Sequence, residues 1–160
     1  MSEGPRRGVT RGYVGGLIFA TIIVAVALVV AVWGGLTLLP GLEPVTTDGV
    51  PRWAAPLVLV LALGALAISL WNQALALLRG RRGPSWGAIV ATAVGAYLLW
   101  ALGGILAGMS IGETWLSPFA ATLIPIWALA SLLFWAVLAR RVYTDRPPPQ
   151  WPWERRGEDE

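Results

Sequence analysis

The chain contains no cysteine and no histidine. Those absences remove disulfides, thiol nucleophiles, thiolate and imidazole metal sites, and imidazole acid–base catalysis. Lysine is absent as well, since all twelve basic residues are arginines. That excludes Schiff-base chemistry and the lysine of a phosphate-binding loop. Charge of either sign is scarce: 13% of the 160 residues are charged, against 56% hydrophobic. A soluble domain is about 25% charged and about 45–50% apolar, so no water-soluble fold hides this much apolar surface. Disorder needs low hydrophobicity with high net charge, and the net charge here is only +3. The membrane class is what remains. An all-oxygen metal site is the one metal chemistry left open, and the nine acidic residues are too scattered to form one.

Four charge-free stretches fill the chain: Val14–Leu39, Trp53–Leu78, Gly83–Gly112 and Thr114–Ala139, each at least 26 residues long. About 20 apolar residues cross a hydrocarbon core of about 30 Å as a helix. Lipid offers no partner for a backbone amide, so each stretch is expected to be a helix. Barrel strands need alternating apolar residues, and that pattern is missing. The spans are placed at about 17–38, 57–78, 86–108 and 119–139, between a basic N-terminus (1–13) and a tail (140–160).

Arginine placement sets the expected orientation. Arg6, Arg7 and Arg11 precede the first span, and Arg79, Arg81 and Arg82 fill the second connection. Arg140, Arg141, Arg146, Arg155 and Arg156 follow the fourth span. Only Arg52 lies on the other side, with Glu43, Asp48 and Glu113. The positive-inside rule puts both termini in the cytoplasm of a plasma membrane. Short connections then give an antiparallel up-down-up-down four-helix bundle. The arginines thus answer to membrane orientation, and nucleic acid is not an expected partner. Apolar sequence runs through Ala25-Val26-Ala27 to Leu39 without a polar cleavage zone, so the first span is expected to be an uncleaved anchor. The first outer loop, with Pro40, Pro44, Pro51, Pro56 and the turn pair Asp48-Gly49, is expected to fold as a small hairpin.

Two constellations inside the spans have functional readings. In the third, Gly87, Ala91, Gly95 and Gly103 share a four-residue register, with Gly104, Gly108 and Gly112 on the adjacent one. Small residues at that spacing allow close helix approach, either to an oligomer or membrane-protein partner or within the bundle itself. The second constellation is polar. Thr21, Ser69, Thr92 and Ser131 each lie nine or ten residues from a flanking arginine, which places all four roughly 15 Å deep. Asn72 and Gln73 lie one turn nearer the cytoplasm. These six residues form either a solute-lining layer or ordinary interhelical hydrogen bonds.

Most of the ten tryptophans fit aromatic belts: Trp33, Trp53 and Trp115 outside; Trp71, Trp86 and Trp135 inside, with Tyr13 and Tyr143. Trp100 and Trp127 lie deeper and are expected to stack, each indole N–H seeking an acceptor. Pro125 is expected to free the Ala121 carbonyl and bend the fourth helix. No Asp, Glu or Arg lies inside a span. Proton-coupled carriers depend on such charges, so the small multidrug carriers, with their buried glutamate, are set aside. The outer-loop carboxylates have no base, nucleophile or metal ligand near them in sequence, and no enzymatic activity, catalytic residue, metal or cofactor is expected.

After Arg141 the composition changes to Arg146-Pro147-Pro148-Pro149-Gln150-Trp151-Pro152-Trp153-Glu154. The prolines favour an extended polyproline conformation. Trp151 and Trp153 are candidates for docking a cytoplasmic partner or for resting in lipid headgroups beside the arginines. Four apolar spans followed by a tail ending near Trp151-Pro152-Trp153-Glu154 resemble uncharacterised actinobacterial membrane-protein families of this length. The resemblance implies no activity and no site residues. The leading expectation is an all-α membrane protein acting as a non-enzymatic assembly or accessory subunit through helix–helix and tail contacts in the bilayer. The alternative is a small oligomeric channel or facilitator lined by the midplane hydroxyls.

Overall fold

The computed structural model describes residues 11–80 and 83–143. Four long helices carry the fold: α1 (Arg11–Thr37), α2 (Ala54–Leu78), α3 (Trp86–Leu106) and α5 (Pro118–Tyr143), with the single-turn α4 (Ile111–Thr114) between the last two. The shortest long helix has 21 residues, about 31 Å at 1.5 Å per residue, which matches a hydrocarbon core. All four are apolar enough to cross a membrane. Their outward faces remain apolar: Phe19 and Val30 are 66% exposed, Ile68 67% and Val60 61%. Such a surface is stable only against lipid. The protein is a multi-pass, all-α membrane protein.

Each helix turns one stripe inward. On α1 it is Val14, Ile18, Thr21, Ala25 and Val29, and on α2 Val58, Ala62, Leu66, Leu70 and Ala74. The three- and four-residue spacing follows the 3.6-residue turn, and the alanines let neighbouring backbones approach. Helix α5 packs against α1, α2 and α3. It carries Phe119, Trp127 and Phe134, which with Trp100 of α3 are the largest fully buried side chains among the described residues. Paired residues have opposed numbering: Ser69 of α2 meets Thr92 of α3, while Val58 lies at Gly103. Trp33 of α1 meets Thr122 of α5, while Tyr13 lies under the Arg141 guanidinium, 5.5 Å from its ring centre. Pro125 lies inside α5, which continues through it.

Helix α3 ends in a Schellman arrangement. Gly108 adopts φ +87°, Met109 N–H donates to Gly104 O at 2.9 Å, and Gly108 N–H donates to Ile105 O at 3.0 Å. A residue with Cβ is strained in that left-handed conformation, so Gly108 belongs to the helix cap and not to the expected packing face. The connection from Thr37 to Ala54 contains turns and no strand, so the expected hairpin does not form.

Candidate functional site

Four of the six expected polar-layer residues come together between α2 and α3. The Thr92 hydroxyl donates to the Ala88 carbonyl of its own helix at 2.6 Å. Its single proton is thereby used, so in the 2.5 Å contact between Ser69 Oγ and Thr92 Oγ1 it is Ser69 that donates. Ser69 can then only accept from Gln73 Nε2, 3.4 Å away. The chain of donors runs one way, from Gln73 through Ser69 and Thr92 to Ala88, and it fixes which end of the Gln73 carboxamide faces Ser69. Gln73 Oε1 is left buried with no partner, on a residue only 6% exposed. An unsatisfied buried acceptor costs about 1–3 kcal/mol.

These side chains line an open groove of about 650 Å3 between α2 and α3, together with Asn72, Ala91 and Gly95. Asn72 is exposed at its rim. Among the described residues, no ionisable side chain lines the groove. The other two residues of the expected layer lie apart from it. Thr21 donates back to the Leu17 carbonyl at 2.8 Å, the usual satisfaction of a helical threonine. Ser131 is fully buried on α5 and its hydroxyl has no partner.

The expected small-residue face divides in two. A Cβ at Gly103 would lie 2.8 Å from Val58 Cγ2, and one at Gly104 2.5 Å from Thr114 Cγ2. Both glycines therefore serve packing within the bundle. Gly87 and Gly95 would meet nothing within 4 Å, and Ala91 between them is exposed. That part of the face is open, and it is the part bordering the groove.

The two deep indoles do not stack on each other. Trp127 Nε1 donates to Ala62 O of α2 at 3.2 Å. Trp100 instead meets the edge of Trp33, centroids 5.1 Å apart, and Trp33 meets Phe119 at 5.6 Å. Trp33, placed by its sequence position in an interfacial belt, thus turns inward and donates to Thr122 Oγ1 at 3.1 Å.

Above this aromatic layer lies a polar junction that no sequence argument placed. Ser110 and Glu113 form a capping box on α4. The Glu113 carboxylate then reaches the connection between α1 and α2, 66 and 67 residues away in sequence. Its Oε1 accepts from the Thr46 backbone N–H, from Thr46 Oγ1 at 2.6 Å and from the Thr47 N–H at 2.8 Å. Its Oε2 accepts from Thr47 Oγ1 at 2.6 Å and Ser110 N–H at 3.1 Å. Trp100 Nε1 donates to the Glu113 carbonyl at 3.2 Å, tying the junction to α3. Burial pushes the Glu113 carboxyl upward. The hydroxyls of Thr46 and Thr47 and the backbone amides of Thr46 and Ser110 outweigh it and hold the group at about 2, below its ordinary 4.5. The one sequence signal was Ser110-Ile111-Gly112-Glu113, a capping-box pattern.

Among the described residues there is no group of three or more acidic, cysteine or histidine side chains that could hold a metal. The tail residues Trp151 and Trp153 lie outside the described residues. No curated protein matches this chain, and no solved structure does. Residues 10–160 fit the Family of unknown function (DUF6121), and the chain belongs to that family.

Proposed function

We propose that the protein is a small, non-enzymatic channel or facilitator that works as an oligomer, with the α2–α3 groove as its polar path. The supporting observation is the groove itself: Ser69, Asn72, Gln73 and Thr92 place hydrogen-bonding groups along one opening in an otherwise apolar surface. Because no ionisable group among the described residues lines it, its expected cargo is uncharged, since stripping water from an ion without a compensating charge or carbonyl ring is costly. The bundle is proposed to run up-down-up-down with both termini cytoplasmic. Opposed numbering of the helix pairs and eleven arginines on one side support that orientation. An accessory-subunit role draws less support, because Gly103 and Gly104 are consumed by internal packing.

The test is solute flux in vesicles containing purified protein. Water and small polyols should pass faster than in protein-free vesicles, and potassium and chloride should not. Ser69→Leu with Thr92→Val should reduce polyol flux by about tenfold or more, the effect of losing about 1.4 kcal/mol or more along the path. Flux equal to protein-free vesicles for every solute would refute the function.

A further inference from the structure

The groove between α2 and α3 is open along one side, and in a bilayer that side faces acyl chains. A single chain therefore has three walls of a path and lacks the fourth. Lipid is a poor fourth wall, because the exposed Asn72 carboxamide finds no hydrogen bond among methylenes. Whatever covers the groove has to bring N–H groups to that depth and to come close to the α3 backbone, where Gly87 and Gly95 leave open space.

We infer that the groove is covered by the same groove of a second copy of this chain, related by a two-fold axis parallel to the membrane normal. This rests on the proposed function and names the partner it requires. The symmetry supplies the chemistry. Copies sharing one membrane orientation bring equal depths face to face, so Asn72 opposes Asn72 and Gln73 of its partner copy. A carboxamide carries two N–H donors and an acceptor, so the exposed Asn72 is complementary to itself. The open stripe of Gly87, Ala91 and Gly95 gives the close approach that membrane helices use for association. Two facing grooves then enclose one polar passage.

The absence of cysteine makes the test direct. Single-cysteine variants Asn72→Cys and Gly95→Cys sample the groove, and Ile23→Cys and Val30→Cys the outward face of α1, where both residues are more than half exposed. Disulfides form only where Cα atoms come within about 7 Å. Oxidation in vesicles of purified full-length protein should cross-link at least one groove position several-fold more than either α1 position. Gly95→Leu should weaken dimerisation about tenfold by single-molecule counting in bilayers. Its monomer should be at least as stable as wild type, because nothing lies within 4 Å of the new Cβ and leucine is a better helix former than glycine. Monomers at every protein-to-lipid ratio would overturn the inference, as would cross-linking at α1 equal to that in the groove. So would rapid labelling of Asn72→Cys by an aqueous thiol reagent in a monomeric protein, which would make water the occupant. A dimer without flux would leave the inference standing and remove the function. Flux by a monomer would overturn the inference and the oligomeric working state, leaving only conduction through the groove.

Discussion

Protonating Glu113, or replacing it with glutamine, should loosen the tie between the α1–α2 and α3–α5 connections, and the size of the effect follows from its five donors. In Glu113→Gln one oxygen can still serve Thr46 and Thr47, as Oε1 does now. The new NH2 group then occupies the place of Oε2, between the Thr47 hydroxyl and the Ser110 N–H. The hydroxyl can turn to accept, but the amide cannot, so two donors oppose each other. The expected cost is about 1–3 kcal/mol. Proton linkage gives a second figure from the same contacts. The folded-state value is depressed from 4.5 to about 2, so the stabilisation is complete above pH 4.5 and is lost as pH falls toward 2. At about 1.4 kcal/mol per unit its ceiling is about 3.5 kcal/mol. Hydrogen exchange in lipid should show the Thr46 and Thr47 amides protected at neutral pH, and about tenfold to hundredfold less so in Glu113→Gln. Wild-type melting temperature should fall between pH 4.5 and 2 by more than that of the variant. Equal exchange of these amides in both proteins, or parallel pH profiles, would refute the reasoning.

Gly103→Ala and Gly104→Ala should each destabilise by about 1–3 kcal/mol through overpacking against Val58 and Thr114. Gly95→Ala should raise monomer stability by up to about 1 kcal/mol, as expected where an open helical glycine is replaced, and chemical denaturation in detergent distinguishes the two signs. Ser131→Ala removes a buried hydroxyl with no partner and should stabilise by about 1 kcal/mol; a loss of more than that would mean the hydroxyl is satisfied. Thiols placed by Asp48→Cys and Thr144→Cys should label from opposite sides of the membrane, Thr144→Cys only after lysis. Asp48 is exposed, and replacing it leaves the Glu113 junction intact.

The helices were legible because lipid enforces them: a charge-free run of more than 20 residues has no other way to satisfy its backbone. Helix ends were harder to read: Gly108 shares the small-residue register of the third span, yet it adopts positive φ where α3 stops, as Gly80 does after α2. Depth, counted from the arginines, placed Ser69 and Thr92 level, and they do meet. Rotation about the helix axis was less accessible. Thr21 and Ser131 share that depth, yet one bonds its own helix and the other faces the core alone. In helices apolar all round, no amphipathic stripe announces which side turns inward. The same blindness put Trp33 in a belt when it turns toward Trp100. Glu113 was hidden for a different reason. Its partners are 66 and 67 residues away, and nothing in Thr46-Thr47 marks two threonines as a carboxylate clamp.

The groove and the Glu113 junction divide the bundle unequally along its length. Groove-lining residues run from Ala65 to Ala76 on α2 and from Ser85 to Leu99 on α3, so the polar opening occupies the half nearer the α2–α3 turn and reaches about mid-depth. Beyond it the same two helices close on each other. Val58 fills the space at Gly103, Trp127 is hydrogen-bonded to Ala62, and Trp33, Trp100 and Phe119 form a continuous aromatic layer. The Glu113 junction then fastens this closed half, holding the segment that leads into α2 against the one that leads into α5. Helix α2 belongs to both halves, with Ser69 and Gln73 in the groove and Val58 and Ala62 in the seal. For a channel or facilitator, the barrier to passage therefore lies where α2 meets α3 above mid-depth. Any shift of α2 that opens that contact works directly against the hydrogen bonds of Thr46 and Thr47 to Glu113.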